Sequence, residues 1–437
     1  MFIDDLVMKA RRAMQKIENY TQEQVDEMLK AMSDIIIEHK ESLAIMAVEE
    51  TGLGRVDHKI GKNFNMATNI YAHLKGKKSV GVIRELKEQG LVEIAQPVGV
   101  IGSVTPTTNP VITPMGNSLM ALKGRNAIIV SPHPRSLKTS TKTINLLRQA
   151  LKGVNAPQDL VQIIDTPSVE NSQKLMKTVD LVIATGGPGM VLAAYSSSTP
   201  AYGVGPGNVQ LIMDDDFDCD DAANLAVIGR GFDNGIVCAC TQAIIYPKAK
   251  ETALFEAFTK HHAHVVEDDK TVETYRQLLF PQGKTNPSLI GVNSDIISNQ
   301  AGEPISNQTE IIVLKSNAYG ANELLAKEKM FPVLLAVPYE TFDEAIEIAK
   351  ANLCVEGKGH SVGILTHNPD HAVEVGLKLP VCRVVVNQPT IDAGGSPANG
   401  LNPTVSLGCG TWGNNIISEN LTYKHLLNIT RVSTPIE

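Results

Sequence analysis

The stretch LVIATGGPGMVLAAYSS, residues 181–197, carries the reading that decides the fold. It begins with LVIA, an apolar and β-branched run of strand length, passes through the glycines of GGPG at 186–189, and continues into the helix-like MVLAAYSS. A strand that turns through glycine directly into a helix is the repeating unit of a parallel α/β sheet. Backbone N–H groups at such a helix start suit phosphate. The spacing is not G-x-G-x-x-G, so the turn by itself reads equally well as a plain strand-to-helix connection.

The same alternation extends in both directions. Upstream, strands are predicted at 127–130 and 160–164 with a helix at 139–151 between them, and LVEIA, Pro97 and VGVIGSV place strand-like sequence at 91–104. The first third is helical in pattern. Thr21 followed by Gln22, Glu23 and Gln24 is a capping signature, and Val25, Met28, Leu29, Met32, Ile35 and Ile36 recur at helical spacing until Gly52 and Gly54 interrupt. Downstream, a second α/β region at 209–395 holds strands at 241–246, 311–314 and 383–387. The expected organisation is an α/β fold with a first unit at 1–203, a second at 204–395 and a return segment at 396–437. No repeat or flexible linker separates them, so the two units should pack closely.

With 437 residues, 43% of them hydrophobic, the chain can build two or three sizeable cores. A formal charge of −8 argues against a nucleic-acid or anionic-membrane partner. No apolar run approaches the roughly 20 residues of a membrane span. Asp4, Asp5, Lys9, Arg11 and Arg12 leave no room for a secretory signal, so a cytoplasmic location is expected. Six cysteines are too sparse for a disulfide scaffold. Cys238 and Cys240 form a C-x-C pair, but no second Cys or His pair stands at zinc-like spacing, and no metal is expected. Cys240 reads either as a resolving thiol or, more simply, as a strand residue sharing a face with Cys238.

Chemistry concentrates in FDNGIVCACTQ, residues 232–242. A nucleophilic cysteine needs a thiolate, an approach path and a backbone donor for a developing oxyanion. Around Cys238, Gly235 and Ala239 leave room for the last two. This loop resembles that of the aldehyde dehydrogenase superfamily, specifically its CoA-acylating branch. The resemblance covers nearly the whole chain, through PTTNP at 106–110, SPHPR at 131–135, GVGPGN at 203–208, EKMFPV at 328–333 and LGCGTWGNNIISENLTYKHLLNI at 407–429.

The resemblance implies a Rossmann-type cofactor domain, an α/β catalytic domain and a small β extension for oligomerisation. That extension would come from a hairpin at 82–97 and the residues after Tyr423, giving a homodimer or homotetramer. It implies Cys238 as the nucleophile, with the Asn109 side-chain amide and the Cys238 N–H holding the oxyanion. Glu328 would bind the nicotinamide ribose, and Gly186 and Gly187 would turn near the pyrophosphate. Thr105, Ser131 and Gly205 are further expected cofactor contacts. His360, in GKGHSVG, is a candidate for assisting proton transfer. Taken alone, an asparagine before a proline is a turn residue, a glutamate among lysines is a solvated helix end, and a histidine between glycines is structural.

Hydrolytic members carry E-L-G-G-K upstream of the cysteine, where this chain has VGPGN beginning at Val204. Valine cannot activate water, so coenzyme A is the expected acyl acceptor. His133 and Arg135 stand where a carboxylate would read the adenosine 2′ position, which makes NADP plausible beside NAD. The resemblance is strongest to members that interconvert succinyl-CoA and succinate semialdehyde, through NPVITPM at 109–115, GRN at 124–126 and VVNQP at 385–389. No iron-dependent alcohol dehydrogenase region accompanies it, so a single activity is expected. Phe331 and the Pro397-Ala398 pair depart from the pattern. Sulfoacetaldehyde or another short aldehyde is the alternative substrate. A cysteine-dependent acyltransferase or thioesterase without nicotinamide, and a non-catalytic protein on the same fold, are the alternatives in other classes.

Overall fold

A computed structural model describes residues 2–436. The run 181–197 folds as read: strand Leu181–Thr185, a glycine turn, then helix Pro188–Tyr195. The strand belongs to a five-stranded parallel sheet ordered Val161–Ile163, Ala127–Ser131, Val100–Val104, Leu181–Thr185, Ala201–Val204. Val100–Val104 is central and wholly buried, and strand order reverses on its two sides. Such a reversal opens a crevice at the carboxyl ends of the strands, where ligands of open α/β sheets bind.

Helices cover this sheet. Gln22–Glu38 starts at Thr21 with the expected capping box to Gln24. Lys40–Thr51 stops at Gly52, whose φ of +71° only glycine adopts without strain. Helix Ile112–Lys123 is buried along its whole length. Its one charged side chain, Lys123, is neutralised by Asp26 at 2.5 Å.

A seven-stranded sheet, also parallel, follows in the order Ala263–Val266, Ile311–Lys315, Val333–Tyr339, Thr241–Pro247, Val209–Met213, Val362–Leu365, Val384–Val386. Apolar layers pack on both of its faces, which is why its strands read as continuous Val/Ile/Leu runs. Only residues 205–208 separate the last strand of the first sheet from Val209–Met213. The carboxyl edge of one sheet therefore leads directly into the amino edge of the other.

The third sheet is small and antiparallel. Gly81–Leu86 and Leu91–Pro97 form the hairpin, and Leu427–Ser433 pairs with Leu91–Pro97 along its length. Glu93 on the middle strand accepts hydrogen bonds from Arg84 and Arg431 on either side. Ahead of that last strand, Leu421, Tyr423 and Leu426 enter the core of the first sheet. Among the described residues no helix is long and apolar enough to cross a membrane.

Candidate active site

Cys238 lies in a turn just before strand Thr241–Pro247, at the amino edge of the seven-stranded sheet. Glu328, His360 and Arg383 precede other strands of that sheet at the same edge. Across from them, at the carboxyl edge of the five-stranded sheet, Ser131 ends its strand and Thr105 and the Gly186–Gly187 turn follow theirs. Gly205 lies in the link between the sheets. Topology thus collects most of the sequence candidates at one junction.

The cysteine loop is held in an unusual backbone path. Asp233, Asn234 and Gly235 have φ of +51°, +54° and +75° in succession. Two non-glycine residues in the left-handed region cost of order 1–3 kcal/mol each unless their surroundings fix them, and here they do. The Asp233 carboxylate receives Lys59 at 2.8 Å and Lys62 at 2.5 Å, and also accepts the Arg55 N–H at 2.9 Å. Asn234 donates to the Gly291 carbonyl and to Asn293. The fully buried Arg230 donates to the carbonyls of Gly235, Thr241 and Lys329 at 2.6, 2.9 and 2.9 Å, gripping the loop on both sides of the cysteine. Gly235 serves this clamp rather than the approach path expected of it: a Cβ there would lie 1.8 Å from Arg230 Nη2. Cys240 is likewise not a strand residue. Its N–H closes a turn on Val237 and its thiol faces the Phe232 carbonyl, because the strand begins only at Thr241.

Cys238 is half-buried, and among the described residues its N–H has no acceptor. Burial pushes its thiol up to about 12, Glu328, Cys409 and Cys240 act in the same direction, and Arg383 opposes them. A Cβ on Gly207 would fall 1.9 Å from the Cys238 carbonyl oxygen, so only glycine lets the linking loop pass behind the cysteine. The Gly207 N–H donates to Glu328 Oε1 at 2.9 Å. Glu328 also lies beside Glu356, and burial followed by that neighbouring carboxylate raises it to about 8.

Asn109 follows the central strand and reaches the cysteine loop through a cation. Its Oδ1 accepts from Lys62 at 2.7 Å, and Lys62 also binds Asp233. His360 is fully enclosed with neither ring nitrogen paired, and burial with Arg383 nearby lowers it to about 3, so its ring is neutral. Arg383 is consumed by the protein: it donates to Ser361, Asn420 and the carbonyls of His360 and Gly408.

On the other edge, Thr105 Oγ1 is buried without a partner, and a Cβ on Gly187 or Gly205 would meet nothing within 4 Å. A cleft of 760 Å³ opens there, lined by Pro188, Val191, Gly205, Glu356 and Trp412 among others. Ser131 bonds Ser172 at 2.8 Å. His133 and Arg135 are exposed, and Arg135 donates to the Thr51 carbonyl. Phe331 is a core residue packed edge-on against Phe280. Pro397 borders a separate depression of 280 Å³ with Asn69 and His73.

Lys59, Lys62, Asp233 and Arg230 escaped the sequence reading. The two lysines lie on helix Val56–Leu74, more than 170 residues from their carboxylate partner. The one local signal was the Asp-Asn-Gly triplet, whose three residue types all tolerate left-handed backbone.

A model described as the aldehyde dehydrogenase family matches residues 2–275. A succinate-semialdehyde dehydrogenase (acetylating) of Clostridium kluyveri is 48% identical over 98% of this chain and 95% of its own length. A sulfoacetaldehyde dehydrogenase of an Acholeplasma species is 37% identical over 98% and 90%. The crystal structure of an acetylating aldehyde dehydrogenase from Geobacillus thermoglucosidasius superposes with a TM-score of 0.97, at 34% identity, over 100% of this chain and 96% of that one. Two further structures, each 26% identical and covering 99% of this chain, contain ligands. A Rhodopseudomonas palustris propionaldehyde dehydrogenase, at TM-score 0.90 and 97% of its length, holds CoA and an acylated cysteine. An engineered glycolyl-CoA reductase, at 0.88 and 96%, holds NADP+.

Proposed function

Since the chain belongs to the aldehyde dehydrogenase family and is an acylating member of it, we propose that Cys238 carries the acyl group between coenzyme A and a short aldehyde. The observation that carries this reading is the placement of Cys238 at the junction of the two sheets, on an immobilised loop with its own N–H unengaged. In the reductive direction Cys238 gives up its thiol proton and attacks the acyl carbon of an acyl-CoA, the carbon–sulfur bond to coenzyme A breaks, and the departing CoA sulfur takes up a proton in its place. The Cys238 N–H and the Asn109 amide stabilise the tetrahedral oxyanion. A reduced nicotinamide, when bound alongside, would supply the hydride that takes the thioester to the aldehyde level. Collapse of the thiohemiacetal then frees the aldehyde and restores the cysteine.

The carboxyl edge of the five-stranded sheet fits such a dinucleotide. The unpartnered Thr105 hydroxyl, the open Gly186–Gly187 turn at a helix start and Gly205 are suited to a phosphate-bearing ligand. Glu328 would take ribose hydroxyls through the oxygen not engaged by Gly207. The basic His133 and Arg135, with no carboxylate in their SPHPR run, favour NADP over NAD. His360, held neutral by burial and by Arg383, keeps one ring N–H to donate but is a poor acceptor of a proton. In the run where hydrolytic members place a general base, this chain has the buried Val204, which cannot take a proton from water.

Succinyl-CoA and succinate semialdehyde are the proposed pair, supported by the 48% identical relative; sulfoacetaldehyde is the second reading, supported by the 37% identical one. The outer edge of strand Leu427–Ser433, with Val432 exposed, is the surface we assign to self-association. The deciding experiment follows nicotinamide absorbance with succinyl-CoA and other acyl-CoAs, using NADPH and NADH in parallel and Cys238→Ala as control. Oxidation with succinyl-CoA that vanishes in the alanine variant establishes the reaction. Oxidation only with a different acyl-CoA keeps the chemistry and replaces the substrate. CoA release without oxidation of either nucleotide overturns the proposal.

A further inference from the structure

We propose that Lys62 is a positioning residue that locks the two donors of the oxyanion site, the Asn109 amide and the Cys238 loop, to a single ammonium group. The inference rests on the reading of Asn109 as an oxyanion donor. Lys62 Nζ lies 2.7 Å from Asn109 Oδ1 and 2.5 Å from Asp233 Oδ2, and its side chain is 6% exposed. An ammonium can only donate, so it fixes which end of the Asn109 amide faces it. The oxygen is turned to Lys62 and the NH₂ is turned away. One N–H then makes a long 3.3 Å contact to Thr108 Oγ1, and the amide keeps a second donor for a ligand. A cation on the oxygen also polarises the amide and strengthens its N–H groups as donors.

The Asp233 contact gives the same cation a second task. Asp233 begins the left-handed triplet that leads into the cysteine turn, so its register sets where the Cys238 N–H stands. Asn109 comes from the five-stranded sheet's side of the junction and Asp233 from the seven-stranded sheet's side. Lys62, on helix Val56–Leu74, ties the two together. Lys59 provides an internal control: it binds the same Asp233 oxygen at 2.8 Å but reaches only the Thr108 carbonyl, at 3.4 Å, not the Asn109 side chain. With Lys59 in place, removal of Lys62 leaves the buried Asp233 compensated.

The test compares Lys62→Met, Lys59→Met, Asn109→Ala and the Lys62→Met/Asn109→Ala double variant in steady-state turnover, with thermal unfolding of each recorded. The expected result is a loss in kcat of about 100-fold for Lys62→Met, the scale of one oxyanion donor, with KM for acyl-CoA within about threefold. Lys59→Met should lose less than about fivefold, and the double variant should lose clearly less than the product of the two single losses. Equal losses for the two lysine variants, or losses that multiply in the double variant, overturn the role of Lys62 while leaving Asn109 in place. An Asn109→Ala enzyme as fast as wild type overturns the Asn109 reading itself, and the role of Lys62 with it. If Lys62→Met does not fold, Lys62→Gln carries the same comparison.

Discussion

The amino edge of the seven-stranded sheet uses buried charge to hold its backbone, whereas the carboxyl edge of the five-stranded sheet leaves glycines and a hydroxyl unengaged. On the first edge, two lysines, an aspartate and an arginine fix three left-handed residues ahead of Cys238. On the second, Gly187 and Gly205 face open space and Thr105 Oγ1 has no partner. The difference follows from what each side must do. A developing oxyanion is stabilised by donors already in place, so the cysteine side gains from rigidity. In the proposed ping-pong reaction, dinucleotide and CoA must come and go in turn, so the opposite side gains from space.

The comparison breaks most visibly at Cys238. Cys238→Ala should lower acyl-CoA-dependent turnover by about 10⁴-fold or more, and intact-mass measurement after mixing with acyl-CoA should find no acyl adduct. Gly235→Ala attacks the rigidity instead. A side chain there is strained at φ +75° and collides with Arg230, so we expect about 3 kcal/mol of lost stability, read from denaturant midpoints, together with a marked fall in kcat.

A smaller effect separates charge from shape on the cysteine side. Glu328 is raised from 4.5 to about 8, so the folded state holds a proton that the unfolded state has released. Stability therefore falls as pH rises through that interval and levels above it. Glu328→Gln should flatten the slope between pH 5 and pH 8 and leave the variant more stable than wild type at higher pH, by roughly 1–2 kcal/mol given the partial exposure of the group. Iodoacetamide should also alkylate its Cys238 several-fold faster at pH 9, since a neighbouring negative charge is gone.

The smallest effect tests the open side. Thr105→Val removes a buried unpaired hydroxyl at constant shape, so the free protein should gain about 1 kcal/mol. KM for the nicotinamide nucleotide should rise a few-fold. A loss of stability instead would mean that the hydroxyl has an internal role.

The two sides were also unequally legible in the sequence. Strand, glycine turn and helix at 181–197 are local patterns, and periodicity and turn chemistry suffice to read them. The Cys238 loop was legible as a motif, but its support was not. Arg230 reads as one charge at the end of a helix, and Lys59 and Lys62 read as the polar face of another. Their burial becomes visible only when a carboxylate from a distant loop is brought between them. Glu328 shows the same limit. Its neighbour Glu356 is 28 residues away, and no pattern along the chain announces that two carboxylates will meet.

The pairing of Leu427–Ser433 with Leu91–Pro97 has a consequence for biosynthesis. The core beneath the five-stranded sheet includes Leu421, Tyr423 and Leu426 beside residues from the first helix onward. A ribosome that has completed every strand of that sheet has therefore not yet made the residues that close its core. The early half must wait, incompletely packed, while more than two hundred further residues are translated, and contacts of such long sequence separation make for slow folding and exposure to aggregation. The second sheet, whose strands all fall within 209–386, is free to settle first, so the order of folding should run against the order of synthesis.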